Sequence, residues 1–161
     1  MTQPPQTGPA ALAAGPAPGM VFARALPRLI AYLVDGFITS LLMIVVAFVL
    51  GTVVGLAGSA GRDFIVGLGI ILFFLAFLGI WLLYFPFFWG RGGQTPGAKL
   101  MKIRVVSDED GSPIGMGTGF VRLFGYFVSG LVFSVGFIWI LIDLRRRGWH
   151  DLIAGTCVVK A

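Results

Sequence analysis

Residues Phe64–Trp89 run for 26 positions without a charged side chain, and this stretch decides the solvent in which the chain folds. An α-helix rises about 1.5 Å per residue, so roughly 20 apolar residues cross a hydrocarbon core. Leu29–Gly58 is long enough as well and carries one charge, Asp35. Between the two runs, Gly58-Ser59-Ala60-Gly61-Arg62-Asp63 reads as a short polar hairpin. Of the 161 residues 57% are hydrophobic and 12% charged, against about 45–50% and 25% in a soluble domain. A soluble domain of this size has no interior large enough for so many apolar side chains. The 12 Lys+Arg and 7 Asp+Glu sit between apolar runs. That pattern suits cations flanking a membrane with anionic headgroups and excludes a nucleic-acid-binding face.

The flanking regions have their own character. Residues 1–20 hold five of the nine prolines and no charge or aromatic ring, the composition of a disordered tail, which leaves 21–161 as the membrane domain. Pro86 is expected to kink or finish the second helix, and Trp81, Tyr84, Phe85, Phe87, Phe88 and Trp89 suit the headgroup level. Thr95 and Pro96 have the form of an N-cap and first-turn proline, opening a short helix on the interface. Alternation over Met101–Val105 and the β-branched run Thr156–Val159 predict two short strands.

The third apolar run, Phe120–Ile142, contains Arg122 and is interrupted by Gly125, Ser129, Gly130, Ser134 and Gly136. Lys and Arg number two before the first run, one in the hairpin, four between the second and third runs and three after the third. The first three counts predict a cytoplasmic N-terminus and central loop. The fourth agrees only if the third run enters and returns, which also lets the two strands pair; this re-entrant path is favoured over a spanning one. The expected architecture is an all-α membrane protein: two clear transmembrane helices, a third spanning or re-entrant broken segment, and a small cytoplasmic two-stranded element.

Asp35 is the residue most suggestive of chemistry, because a charge at the centre of a membrane helix costs about 2.5–3.5 kcal/mol on insertion scales. Arg28 shares its helix face about 10.5 Å away along the axis and reads as an interfacial anchor. Asp35 then needs another partner: Arg122, a wet crevice, a bound cation or its own proton. The run Gln94-Thr95-Pro96-Gly97-Ala98-Lys99 has Ala98 where a phosphate-binding loop requires lysine, which excludes nucleotide binding. His150-Asp151 offers too few ligands for a metal and has no accompanying nucleophile, so no enzyme, metal site or cofactor is expected. Asp151 is expected to cap a helix or pair with Arg145–Arg147. The single cysteine, Cys157, excludes an intrachain disulfide and reads as a packed apolar residue.

Four motifs in order resemble the RDD family of small bacterial membrane proteins: Arg28…Asp35, Trp89…Gly93-Gln94-Thr95-Pro96-Gly97-Ala98-Lys99, Ile103-Arg104-Val105-Val106, and His150-Asp151…Ala154-Gly155-Thr156. Arg28, Asp35 and Asp151 match the Arg and two Asp of the family's name. The resemblance implies an integral domain of the bacterial plasma membrane, with sodium or proton antiport proposed for some relatives. Two functions are therefore expected as alternatives. One is a cation/proton transporter or transporter subunit using Asp35 with Arg28 or Arg122, acting as a homo-oligomer because two or three helices rarely enclose a path. The other is a non-enzymatic accessory or scaffold protein, bound to a membrane partner, whose Arg and Asp residues form structural ion pairs.

Overall fold

The computed structural model describes residues 15–59, 61–132 and 135–161. The first fourteen residues of the expected tail, Ala60 in the hairpin and Ser134 in the third run lie outside them. Gly15–Met20, expected in the tail, form a turn in which the Gly15 N–H donates to the Met20 carbonyl (2.7 Å). Met20 is held there by packing against the Phe22, Val106, Cys157 and Val159 cluster.

Helix α1 spans Ala25–Leu56 and helix α2 Arg62–Gly92. At 32 and 31 residues each measures about 47 Å, and both are long and apolar enough to cross a membrane. Neither has a polar face, and a helix apolar all round must be covered by protein or lipid. The most apolar stretch of each contains no buried residue. Burial is confined to Ala31 and Asp35 near the start of α1 and to Phe85, Pro86 and Trp89 near the end of α2. The molecule thus divides into a packed pole and a two-helix arm.

Everything else gathers at the pole. Helix α3 (Pro96–Leu100) starts at Thr95, whose Oγ1 accepts from the Ala98 N–H (3.1 Å). It is tucked against α1: Gly97 and Ala98 are buried, and a Cβ on Gly97 would collide with the Ala31 carbonyl. Strands β1 (Ile103–Ser107) and β2 (Thr156–Lys160) pair antiparallel with Val105 opposite Val158. The segment before α1 joins them, unforeseen from its sequence, as the Ala23 N–H donates to Val158 O (2.8 Å) and the Lys160 N–H to Val21 O (2.9 Å). Trp89, Phe85, Ile103, Val105 and Val158 form the core between sheet and helices.

The third apolar run is bent. Helix α4 (Met116–Leu131) is followed by helix α5 (Val135–Ile138) and a 3₁₀ turn (Trp139–Leu141), the two halves meeting at 111°. Helix α4 turns Gly119, Arg122, Gly125 and Ser129 inward, a spacing of three or four that makes one face. Its exposed face carries Phe120, Phe124, Phe127 and Leu131. Because β1 and β2 share a sheet, the chain between them returns to the side it left, as the re-entrant path requires. Helix α6 (Trp149–Ala154) then packs on α4, where a Cβ on Gly125 would lie 2.6 Å from His150 Cα.

Helix α2 does not finish at Pro86, and two of its clustered aromatic residues face protein. The helix runs through Pro86 to Gly92 because the missing N–H removes only one ladder bond and the turn is clamped against Gly119, whose Cβ would lie 3.0 Å from Pro86 Cα. Phe85 and Trp89, expected among headgroups, are core residues with 6% and 4% exposure.

Candidate functional site

Two buried carboxylates organise the pole, and the helices deliver different partners to each. Asp35 projects from α1 at the N-terminus of α3. Its Oδ2 accepts from Thr95 Oγ1 (2.5 Å), and its Oδ1 from the Gly97 N–H (2.8 Å) and Tyr84 Oη (3.1 Å). Thr95 works twice, donating to Asp35 while accepting from the Ala98 N–H. All three partners are neutral donors, matching a group that only accepts, and a carboxylate at a helix start also meets the favourable end of the backbone dipoles. The pairing of Asp35 with Arg122 considered from sequence is not the one found. Gln94 braces the same loop by donating from Nε2 to the Ile103 carbonyl (2.9 Å).

Asp151 holds both inward arginines. Arg28 Nη1 lies 2.8 Å from its Oδ2 and Arg122 Nη1 2.5 Å from its Oδ1. Being third in α6, Asp151 also accepts from the Gly148 N–H at the helix start (2.9 Å), as its expected capping role requires. Arg28 Nη2 donates further to the Val158 carbonyl (3.3 Å), and Arg122 Nη1 to Thr156 Oγ1 (2.6 Å). The Arg122 guanidinium lies over the Trp89 ring, 5.0 Å from its centroid, a placement that favours a desolvated cation. One carboxylate therefore ties α1, α4, α6 and β2 together.

Two sequence expectations are corrected here. Arg28 is not a snorkelling anchor, since only 9% of its side chain is exposed. Asp151 does not pair with Arg145–Arg147; Arg145 and Arg147 instead reach Asp108 (3.2 and 2.7 Å), and Arg147 also Asp143 (3.2 Å). Lys99, the last cation of the 94–99 motif, is on the exposed side of α3.

Burial pushes the His150 imidazole down to about 3, so it is neutral at pH 7. Its Nε2 is 3.6 Å from Asp151 Oδ2, and its ring packs on Tyr126 with centroids 4.1 Å apart. Burial alone would raise Asp151, but the charges of Arg122 and Arg28 outweigh it and hold the carboxyl well below the usual range. Burial also pushes the Cys157 thiol up to about 12, consistent with a packed side chain. Sequence reasoning gave no site role to Tyr84 or Tyr126, which looked like ordinary members of apolar runs, and placed Trp89 and Thr156 only within the family motifs. No group of three or more His, Cys, Asp and Glu suited to a metal occurs among the described residues.

A cavity of about 660 Å³ opens beside Asp35, with Arg28, Arg122 and His150 also in its otherwise mostly apolar wall.

This arrangement of Arg28, Asp35 and Asp151 falls within residues 22–155, the span matched by the RDD family. The chain belongs to the RDD family. It is 31% identical to the uncharacterised protein YxaI of Bacillus subtilis (strain 168), over 82% of this chain and 93% of that protein. It is 32% identical to the proline-rich antigen of Mycobacterium leprae (strain TN), over 56% of this chain and 37% of the antigen. A third relative, the uncharacterised B. subtilis protein YckC, is 39% identical over 47% of this chain and 52% of its own length. No solved structure matches the chain. It is an RDD-family membrane protein whose two apolar helices would contact lipid.

Proposed function

We propose that this RDD protein is a non-enzymatic membrane binding module or scaffold, in which the family's Arg and Asp residues build the pole and transport nothing. One observation carries this reading. Both oxygens of Asp35 are taken by hydroxyl and backbone donors, and Asp151 lies between two guanidiniums. A carboxylate that carries a cation must exchange partners at little cost, whereas truncating a buried ion pair costs about 3–5 kcal/mol.

Orientation follows from charge. Arg62 alone of the 12 Lys+Arg stands at the far tip of the arm, and the other eleven belong to the pole. The cation bias then sets the pole in the cytoplasm of a bacterial plasma membrane, with the N-terminus inside. A partner, either a second copy or another membrane protein, docks on the pole or the arm.

Cation/proton exchange through Asp35 is the second reading, supported by the place of Asp35 in the cavity wall. Proton flux driven by Na⁺, K⁺ or Li⁺ in phosphatidylcholine proteoliposomes separates the two. The parent and Asp35→Asn proteins are expected to show the same background leak. Flux in the parent that disappears in Asp35→Asn overturns the scaffold reading.

A further inference from the structure

Around the cavity, Arg28, Arg122 and Arg104 stand against the two carboxylates Asp35 and Asp151, one positive charge in excess. Arg28 and Arg122 share the single carboxylate Asp151, and the exposed Arg104 lines the same cavity. His150 is neutral, and Asp35 is bonded to its own three donors about 10.5 Å along α1 from Arg28. The side chains of Arg28 and Arg122 are only 9% and 2% exposed, yet the Nε–H of each has no hydrogen-bond partner among the described residues. A buried donor left unpaired is destabilising, and more so when charged.

Position in the bilayer identifies the anion. If the arm's 21 residues beyond Asp35 fill the hydrocarbon, they measure about 31 Å, one core thickness. Asp35 then stands at the near edge of the core, and Arg28 about 10 Å outside it, within the headgroup layer. The cavity's other walls include Leu29, Tyr32, Ile138 and Leu141, apolar side chains that are 41–73% exposed. A soluble anion has no use for such walls. We propose that the cavity binds an acidic phospholipid, its monoanionic phosphodiester on Arg28 and Arg122 and its acyl chains along Leu29, Tyr32 and Ile138. The proposal rests on the binding-module reading and supplies its ligand.

The test is native mass spectrometry of the full chain released from nanodiscs holding equal phosphatidylglycerol and phosphatidylcholine. The parent is expected to retain phosphatidylglycerol in preference by roughly tenfold, the order of one charge-assisted hydrogen bond. Arg28→Gln is expected to cut that preference several-fold. Arg104→Glu, a change on an exposed strand position that leaves the buried pairs intact, is expected to do the same. Equal retention of the two lipids by the parent, or a preference unchanged in both variants, overturns the proposal. So does inorganic phosphate raising the unfolding temperature in detergent as much as phosphatidylglycerol does, because the ligand is then a free anion. Failure here without flux in the proteoliposomes removes the lipid and spares the scaffold reading; flux with the lipid preference intact does the reverse.

Discussion

The arm and the pole obey different rules. Between Phe37 and Leu83 the large side chains are mostly exposed, and hydropathy together with helix length is all the arm requires. At the pole, both oxygens of Asp35 and both of Asp151 face named donors or cations, and the close approaches require glycine at positions 97 and 125. Many sequences make an arm, because lipid accepts any apolar side chain. Few make the pole, since a buried donor or acceptor without a partner costs more than its bond contributes when made.

Substitutions arranged by expected effect test this division. Asp151→Asn leaves Arg28 and Arg122 buried without a counter-charge and should destabilise by about 3–5 kcal/mol, read as loss of folded protein in detergent; near-parental unfolding would mean the pole does not depend on this pair. Gly97→Ala puts a methyl into the Ala31 carbonyl and should cost about 1–3 kcal/mol by thermal unfolding. Asp35→Asn forfeits an accepting oxygen among three donors and should cost about 1.5–3 kcal/mol, a value near zero separating Asp35 from the pole's architecture. Phe48→Leu, on the arm with a side chain 74% exposed, should stay within about 0.5 kcal/mol.

Acid should open the pole and spare the arm. His150 titrates lower in the fold, at about 3, than at its ordinary value of about 6.5. Between those values the unfolded chain binds the extra proton, so stability falls as pH drops below about 6.5. The depressed Asp151 acts in the same direction, its contribution being present above about pH 4 and lost at lower pH. Near-ultraviolet circular dichroism of the aromatic core should lose signal on acidification while helix content persists. In His150→Gln the fall between pH 6.5 and 4.5 should vanish; if it remains, another group carries it.

Local patterns made much of the fold legible. Uncharged runs located α1 and α2, Thr95-Pro96 marked the start of α3, and residue alternation found β1 to within two positions. The excess of cations after the third run, together with its glycines, pointed to a segment that turns back. The site was less legible. Arg28 and Asp151 lie 123 residues apart, and no periodicity links such positions. Asp35 invited a charged partner because a lone charge in an apolar run is judged against lipid, while its real partners are a loop hydroxyl, a backbone N–H and a tyrosine in a crowd of aromatic rings.

The sheet that joins Val21, Val105 and Val158 also sets an order of events in the growing chain. The arm is complete once residue 92 has been made, and both its helices are long and apolar enough to span without the pole. Arg28 has by then left the ribosome, but Asp151 has not yet been synthesised. The pole closes only after Thr156–Lys160 has been made, so the arm waits unlocked while residues 93–160 are added, and a chain stopped before Asp151 leaves both arginines without their carboxylate.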